Sequence, residues 1–299
     1  MELVVMVGLP GSGKTTEAER LAGDSDQWRV FSSDAYRKRL CGDENDQSRN
    51  AEIFQCLYKE LNEALMSGYN CILDATNVSF KDRKRAFDSL WALRKCNACV
   101  TACVCAPPLE VVMKQDADRD RTVGEAVIRK YLHRFQFPNT FMEPFDKVYV
   151  VPHEARLPFA LEKRRWLLRM YGVDQNNPHH THTLLEHSLL ISALAENSKI
   201  KEAGLWHDVG KLFTETRDAS GVSHYYHHAN VSSYLLASTG ASQYLDEDEI
   251  FLVTYHMEGM EIRHNRDVHK QLQGAMSEYH RCLLDAFALY DEKASKGEF

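Results

Sequence analysis

No histidine occurs before His133, thirteen of the fourteen fall at or after His153, and only one of the eight cysteines lies beyond Cys105. Histidine chemistry is therefore confined to the later part of the chain, and this segregation points to two chemistries in two domains. The seven earlier cysteines sit mostly in apolar runs, where a reduced thiol is a small core residue. No uninterrupted apolar run is long enough to span a bilayer, and no signal-peptide pattern precedes the first expected strand, so the cytoplasm is the expected location. An excess of positive charge is also missing. The 36 lysines and arginines are outnumbered by 43 acidic residues, a net charge of −7. That argues against tight, non-specific binding to long nucleic acid. It leaves room for a local basic groove at Lys81 to Arg85, Arg119 with Arg121, or Arg129 to Arg134, although such clusters also arise as plain solvated helix faces.

At 299 residues, with 44% hydrophobic and 26% charged side chains, the chain is long enough for two globular domains with separate cores. The first is organised around Gly8-Leu9-Pro10-Gly11-Ser12-Gly13-Lys14-Thr15. An apolar run, Val4 to Val7, precedes this octapeptide as a buried strand, and Thr16 to Ala22 follows as a helix. That is the setting of a Walker A loop. Gly8, Gly11, Ser12 and Gly13 let backbone N–H groups turn around phosphate oxygens, with Thr16 in the first turn of the helix. Lys14 neutralises the β- and γ-phosphates of ATP or another NTP, and Thr15 offers its hydroxyl to Mg²⁺.

Further strands are expected at Trp28 to Ser32, Asn70 to Leu73, Cys99 to Cys105 and Asp146 to Val151, with helices at Ala51 to Met66 and Phe80 to Arg94. The alternation predicts a parallel α/β sheet flanked by helices. Cys96, Cys99, Cys103 and Cys105 resemble a metal knuckle in spacing, but a strand sends neighbouring side chains to opposite faces, which favours a buried strand. In a parallel sheet, polar groups at the strands' carboxyl ends share one crevice. Asp34, just past the second strand, is placed to take a proton from an attacking hydroxyl, or it serves as a helix N-cap; Arg37 is placed to bind an acceptor phosphate. Asp74-Ala75-Thr76-Asn77 ends the third strand. Arg119 and Arg121 precede a helix whose start is marked by Thr122 and Glu125, a capping-box spacing, and arginines there suit a lid over the triphosphate.

Taken in order, Gly8 to Thr15, Ser33 to Arg37, Asp74 to Asn77 and the Arg119/Arg121 pair resemble the 5′-hydroxyl polynucleotide kinases of the phage end-healing type. The resemblance covers roughly the first 150 residues. It implies that Asp34 is the general base for the 5′-hydroxyl, that Arg37 contacts the acceptor phosphate, and that one of Arg119 and Arg121 acts as the lid arginine.

The strand pattern stops at Pro152 to Pro158, so the domains are expected to be 1–152 and 153–299, the second all-α. Its first helix is expected at Arg156 to Tyr171. His182-Thr183-Leu184-Leu185-Glu186-His187 begins the second chemical centre and Trp206-His207-Asp208-Val209-Gly210-Lys211 continues it. A turn at Asn197-Ser198 lets two helices bring His187 opposite His207-Asp208, a donor set suited to a borderline transition metal. This ordered set resembles the HD phosphohydrolase superfamily. The resemblance implies metal ligation by His187, His207, Asp208 and Asp291, with Asp285 as the competing aspartate, and substrate-phosphate binding by Lys211. Dinuclear members add two histidines, matched here by His228 and His256, with His227 as the register alternative; Ala229 replaces the acidic residue often found there. The metal is expected to be Mn, Co, Ni, Fe or Zn. The other second-half histidines are expected at surface or core.

A kinase joined to an HD module resembles the bacterial end-healing enzymes. The implied activity is γ-phosphate transfer to a 5′-hydroxyl nucleic-acid end, RNA favoured, with hydrolysis of a 2′,3′-cyclic or terminal 2′(3′)-phosphate, serving a separate ligase. Two other readings stay open: a small-molecule or nucleotide kinase fused to an HD nucleotidase, and an HD phosphohydrolase gated by ATP.

Overall fold

The computed structural model describes residues 1–44, 46–119, 121–153, 157–178, 180–264 and 270–297. By internal contacts the chain forms two compact units, residues 1–131 with 138–151, and residues 132–137 with 152–299. The division is thus more than a single cut near residue 152. Residues 132–137 are tied into the second unit, where the Phe137 amide donates to Ser233 Oγ at 3.0 Å and Asn230 Nδ2 to the Phe135 carbonyl at 3.0 Å.

The first unit is a five-stranded sheet with β1 (Glu2–Val7), β2 (Trp28–Ser32), β3 (Asn70–Asp74), β4 (Cys99–Val104) and β5 (Lys147–Val150) in the order β2-β3-β1-β4-β5. All its pairings are parallel. Leu3 and Val5 enter one core and Val4 and Met6 the other, because successive side chains of a strand point to opposite faces. Both faces are therefore buried, which is why the strands read as continuous apolar runs. The helices are α1 (Lys14–Ala22), α2 (Ser33–Cys41), α3 (Asn50–Met66), α4 (Phe80–Ser89), α5 (Leu109–Ala117) and α6 (Glu125–Leu132). The cysteine-rich stretch is β4, with Cys103 buried in the core and every cysteine free.

Two helix expectations are corrected. The helix expected over Phe80 to Arg94 ends at Ser89 and is followed by a separate 3-10 turn at Trp91–Arg94, because Leu90 leaves helical geometry (φ −90°, ψ 69°) as its side chain is buried. The helix expected from Thr122 begins at Glu125. Gly124 is left-handed at φ 82°, and the amides of Val123 and Gly124 donate to the Asp116 carboxylate instead.

The second unit is built from α7 (Phe159–Met170), α8 (Leu184–Leu194), α9 (Ser198–Trp206), α10 (His228–Ser238), α11 (Glu247–Arg263), α12 (Lys270–Ala275) and α13 (Glu278–Lys296). Helix α8 packs on α9 and α13, and α11 packs on α9, α10 and α13. The α8 start carries a capping box between Thr183 and Glu186, and Asn197 caps α9 through its side chain. An all-helical second half needs one correction, since β6 (Thr216–Arg217) and β7 (Ser223–His224) form a short antiparallel hairpin. It closes around Asp218, whose Oδ1 accepts from the amides of Ser220 and Val222. Arg156, His179 and His269 lie outside the described residues. Among the described residues, no helix is long and apolar enough to cross a membrane.

An internal ion pair braces the first unit. Arg83 on α4 is fully buried, donates to both oxygens of Glu143 at 2.6 and 2.9 Å, and donates a third bond to the Asn77 carbonyl at 3.0 Å. Truncation of one partner strands a buried charge. Glu143→Ala is expected to destabilise this unit by about 3–5 kcal/mol, measured by denaturant unfolding of the full chain, whereas breaking the exposed Lys84–Asp88 pair by Asp88→Ala should cost about 0–1 kcal/mol.

Candidate functional site

The first candidate site lies where β1 turns into α1. Gly8 follows β1 directly, and a Cβ at this position would lie 2.4 Å from the Cys105 carbonyl oxygen and 2.5 Å from Ser12 Oγ. Gly11 and Gly13 sit at φ 77° and 82°, where side chains with a Cβ are strained. Within α1 the Glu17 amide is the first to find a helical acceptor, Gly13 O, at 3.0 Å. The amides of Gly13, Lys14, Thr15 and Thr16 are therefore left without intrahelical acceptors at the positive end of the helix dipole. Ser12 Oγ is buried and unpartnered. Lys14 is buried and spends its ammonium on the Leu9 carbonyl at 2.6 Å. Burial pulls its pKa down, against the attraction of Asp74 and Asp34. A polyphosphate satisfies all of these groups at once, so the loop fits the triphosphate it was expected to hold. Thr15 Oγ1 donates to Asp74 Oδ2 at 2.9 Å, a hydroxyl–carboxylate pair that could hold Mg²⁺ beside the phosphates.

Asp34 occupies the first turn of α2, and the N-cap is Ser32, so the capping alternative for Asp34 is not the geometry found. Its Oδ1 accepts from Arg37 at 2.5 Å and its Oδ2 from Arg121 at 3.2 Å. Arg37 is itself fixed by Asn50, whose Oδ1 accepts from Nε and from the second terminal nitrogen at 3.3 and 3.2 Å. Arg119 is exposed and adds its charge to those acting on Lys14. Lys14, Asp34, Arg37, Asp74, Arg119 and Arg121 thus gather at the carboxyl ends of β1, β2 and β3, the crevice expected of a parallel sheet.

The second candidate site is a buried cluster in the helical unit. His187 comes from α8, His207 ends α9, Asp208 follows it, His228 begins α10, His256 lies in α11 and Asp291 in α13. Asp208 is at the centre. Its Oδ2 is 3.2 Å from His207 Nε2, 3.6 Å from His187 Nε2 and 2.7 Å from Lys211 Nζ, and its Oδ1 is 3.1 Å from His228 Nε2 and 4.0 Å from His256 Nε2. Asp291 Oδ1 lies 3.0 Å from His187 Nε2. The donors form two triads that could each hold a metal ion, His187–His207–Asp208 and Asp208–His228–His256.

The ring nitrogens test that fit. Nδ1 of His207, His228 and His256 lies 2.9, 2.7 and 3.0 Å from the carbonyl oxygens of Gly204, Tyr225 and Val253. A carbonyl only accepts, so these Nδ1 atoms carry protons, and wherever the ring is neutral its Nε2 lone pair faces inward. Nε2 of His228 then confronts Nε2 of His256 at 3.0 Å, and that of His187 confronts that of His207 at 3.3 Å. Where His228 and His256 are both neutral, their lone pairs repel at 3.0 Å unless a cation lies between them, while His187 Nε2 also has Asp291 Oδ1 at 3.0 Å; the set of imidazoles and carboxylates suits a borderline transition metal. Burial would raise the Asp208 pKa, yet His207 and Lys211 hold it well below the ordinary carboxylate range. Burial, then the charges of His207 and His228, push the His256 imidazole down to about 3, which keeps it neutral. Of the paired alternatives, Asp285 faces Arg263 with half its side chain exposed, and His227 is exposed and stacked on His133, so neither joins the cluster.

Residues 3–138 match the family model of an AAA domain. This half is a P-loop α/β domain, of the kind that takes a nucleoside triphosphate with Mg²⁺. Among solved structures, the chain is partly similar to the Pnkp1/Rnl/Hen1 RNA repair complex, with 24% identity over 44% of this chain and 42% of that chain at a TM-score of 0.37. It is similar to a fungal RNA kinase with 19% identity over 55% of this chain and 42% of that one, TM-score 0.38. A sugar kinase from Janibacter sp. shows 19% identity over 50% of this chain and 84% of its own, TM-score 0.36. The chain spans about two fifths of the length of the first two. No curated protein matches it.

Sequence reasoning assigned no role to three groups that the structure brings to these sites. Asp74 pairs with Thr15 in the P-loop domain. In the helical unit, Lys211 Nζ is 2.8 Å from Gln175 Oε1 and 3.4 Å from His180 Nε2, and the His180 ring meets His187 edge-on at 5.4 Å. The position of Asp74 at the end of a strand beside β1 was the available signal; nothing local marks Gln175 or His180.

Two outcomes follow from the geometry. Gly8→Ala forces a methyl group against the Cys105 carbonyl, and ATP affinity by titration calorimetry should fall roughly tenfold or more. In the helical unit, burial and the Lys211 charge push His180 down to about 3, as burial does for His256. Each is neutral when folded but takes a proton near its usual 6.5 when unfolded, so their contribution to stability is present above 6.5 and is lost as pH falls toward 3. The thermal midpoint of chelator-treated protein should therefore drop between about pH 7 and pH 5, and less steeply in His180→Gln.

Proposed function

We propose that the chain heals nucleic-acid ends, RNA in the first instance: one domain phosphorylates a 5′-hydroxyl and the other removes a 2′,3′-cyclic or terminal 2′(3′)-phosphate. The observation that carries the reading is Asp34, a carboxylate oriented by Arg37 and Arg121 and close enough to Lys14 to act on its charge. A base opposite a phosphate cradle is what transfer to a hydroxyl needs. Asp34 accepts the proton as the hydroxyl oxygen attacks the γ-phosphorus; the bond from that phosphorus to the β,γ-bridging oxygen breaks, and the nucleoside diphosphate leaves. Lys14 and the α1 amides offset the charge on the phosphates, and Arg119 and Arg121 are placed to offset charge on the transferred group. Thr15 and Asp74 would hold Mg²⁺, which would supply positive charge beside the β- and γ-phosphates.

The HD reading of the helical unit rests on the two triads that share Asp208. His187, His207, Asp208, His228, His256 and Asp291 would hold one or two divalent transition-metal ions, Mn, Co, Ni, Fe or Zn, which supply Lewis acidity toward a phosphoryl oxygen and lower the pKa of water. Lys211, held by Asp208 and Gln175, presents a positive charge at the edge of the cluster for a substrate phosphate oxygen. Removal of the 3′-blocking phosphate and addition of a 5′-phosphate produce the two ends that a separate ligase joins.

The test is one oligoribonucleotide with a 5′-hydroxyl and a 2′,3′-cyclic phosphate, incubated with γ-labelled ATP, Mg²⁺ and Mn²⁺. Wild type should label the 5′ end and open the cyclic phosphate. Asp34→Ala should reduce labelling by about 10²-fold or more while leaving the 3′ reaction intact, and Asp208→Ala should do the reverse. Equal labelling by wild type and Asp34→Ala would overturn the base assignment, and full 3′ activity in Asp208→Ala the metal assignment.

A further inference from the structure

The turn that delivers His228 to the cluster carries four rings in a row, His224, Tyr225, Tyr226 and His227. Tyr225 is turned toward the site. Its hydroxyl donates to the Gln175 carbonyl at 2.9 Å, its ring centre is 5.6 Å from Lys211 Nζ, and its carbonyl accepts from His228 Nδ1 at 2.7 Å. His227 is bent into the left-handed region at φ 65°, a conformation that costs a non-glycine residue about 1 kcal/mol or more. Tyr226 is the odd member. It is 64% exposed, yet its ring is not left to rotate in water, because His224 stacks against it at 5.6 Å with only 8° between the planes. His224 is anchored in turn, its Nε2 lying 3.0 Å from Asp218 Oδ2 on the β6–β7 hairpin. One face of the Tyr226 ring is thus backed by a tethered imidazole and the other is open, two residues from His228.

We infer that Tyr226, backed by His224, is a stacking platform for the nucleobase of the nucleotide whose phosphate enters the Asp208 cluster. The inference rests on the phosphohydrolase reading for the phosphate and goes beyond it by assigning the base a place, which makes the substrate a nucleoside phosphate and not a simple phosphate ester. A planar ring with one free face stacks on any base with little sequence preference, and pre-orientation by His224 means that little rotamer freedom remains to be lost on binding. The neighbouring Tyr225 connects platform and charge, since it touches Lys211 and His228 while the chain carries the next ring outward.

The experiment compares adenosine 2′,3′-cyclic phosphate with its base-less counterpart, 1-O-methylribose 2,3-cyclic phosphate, in the manganese-loaded full chain. Tyr226→Ala should raise KM for the adenosine compound about tenfold relative to KM for the base-less one, with kcat for both little altered, and Tyr226→Trp should restore the wild-type ratio. An equal change for both substrates, or for neither, overturns the platform. An oligoribonucleotide ending in the same cyclic phosphate separates the two sources of such a base: the lower wild-type KM marks whether a strand end or a free nucleotide is the native bearer. Should wild type turn over none of these, the phosphohydrolase reading falls, and the platform is still decided by 2-aminopurine riboside 3′-phosphate. Fluorescence quenched on binding wild type and regained in Tyr226→Ala supports stacking; no quenching, or quenching unchanged in Tyr226→Ala, overturns it.

Discussion

A buried carboxylate that attracts partners on both of its oxygens is the constraint on which the helical unit depends. Asp208 is 2% exposed, and an isolated charge at that depth costs several kcal/mol. The Lys211 ammonium offsets part of that cost, and ring nitrogens surround the rest of the group from four directions, α8 through His187, the end of α9 through His207, α10 through His228 and α11 through His256, where a cation among them would supply the remaining positive charge. No two of the four histidines share a helix. The geometry of the cluster is consequently a property of helix packing, and the packing shows the adaptation. A Cβ on Gly210 would sit 2.1 Å from the His228 carbonyl oxygen, and the Gly210 amide donates to Ser232 Oγ at 2.8 Å, so the turn after Asp208 and the start of α10 are in direct contact. A larger residue there would push His228 away from Oδ1.

The P-loop domain solves the opposite electrostatic problem by other means. Its ligand is a polyanion, and the cradle is made of main-chain amides, for which the sequence needs only glycines at the bends and one lysine. Lys14 resembles Asp208 in being a buried charge, but its partners, the Leu9 carbonyl and the carboxylates of Asp74 and Asp34, leave it under-compensated and its pKa lowered. A phosphate supplies the missing negative charge. One site is thus strained toward an anion and the other, with its facing Nε2 lone pairs, toward a cation.

This difference also explains how much was legible from residue order. The P-loop is contiguous, so strand, loop and helix could be placed from Val4 to Ala22, and strands buried on both faces announced themselves as apolar runs. The cluster residues are spread from residue 187 to 291, yet they too could be named in advance, because the His-Asp doublet followed by lysine carries a resemblance to the HD superfamily, and that resemblance supplied the order of its companions. What failed was local chemistry with a non-local partner. Thr122 and Glu125 have capping-box spacing, but Asp116 on α5 supplies the cap and Gly124 breaks the turn. Gln175 precedes Lys211 by 36 residues, and only tertiary packing brings its side-chain oxygen to the ammonium. His180 looked like any histidine in a polar loop, and its place beside Lys211 depends on the fold.

Arg37 shows where resemblance and geometry pull apart. By resemblance it grips the acceptor phosphate, yet Nε and one terminal nitrogen are committed to Asn50 and the other terminal nitrogen to Asp34. A guanidinium has five N–H donors, so two remain, one on each terminal nitrogen. Arg37 can therefore meet an acceptor phosphate without releasing Asp34, and Asn50 fixes the plane in which it does so. Arg121 stands differently. It reaches the other oxygen of Asp34 at the longer distance of 3.2 Å, shares itself with Glu44 at 3.6 Å and sits on a short segment secured by the Asp116 carboxylate. Of the two arginines on Asp34, Arg121 makes the longer contact, and on the proposed reading it is the one that would be exchanged for a transferring phosphoryl group while Arg37 keeps Asp34 in position.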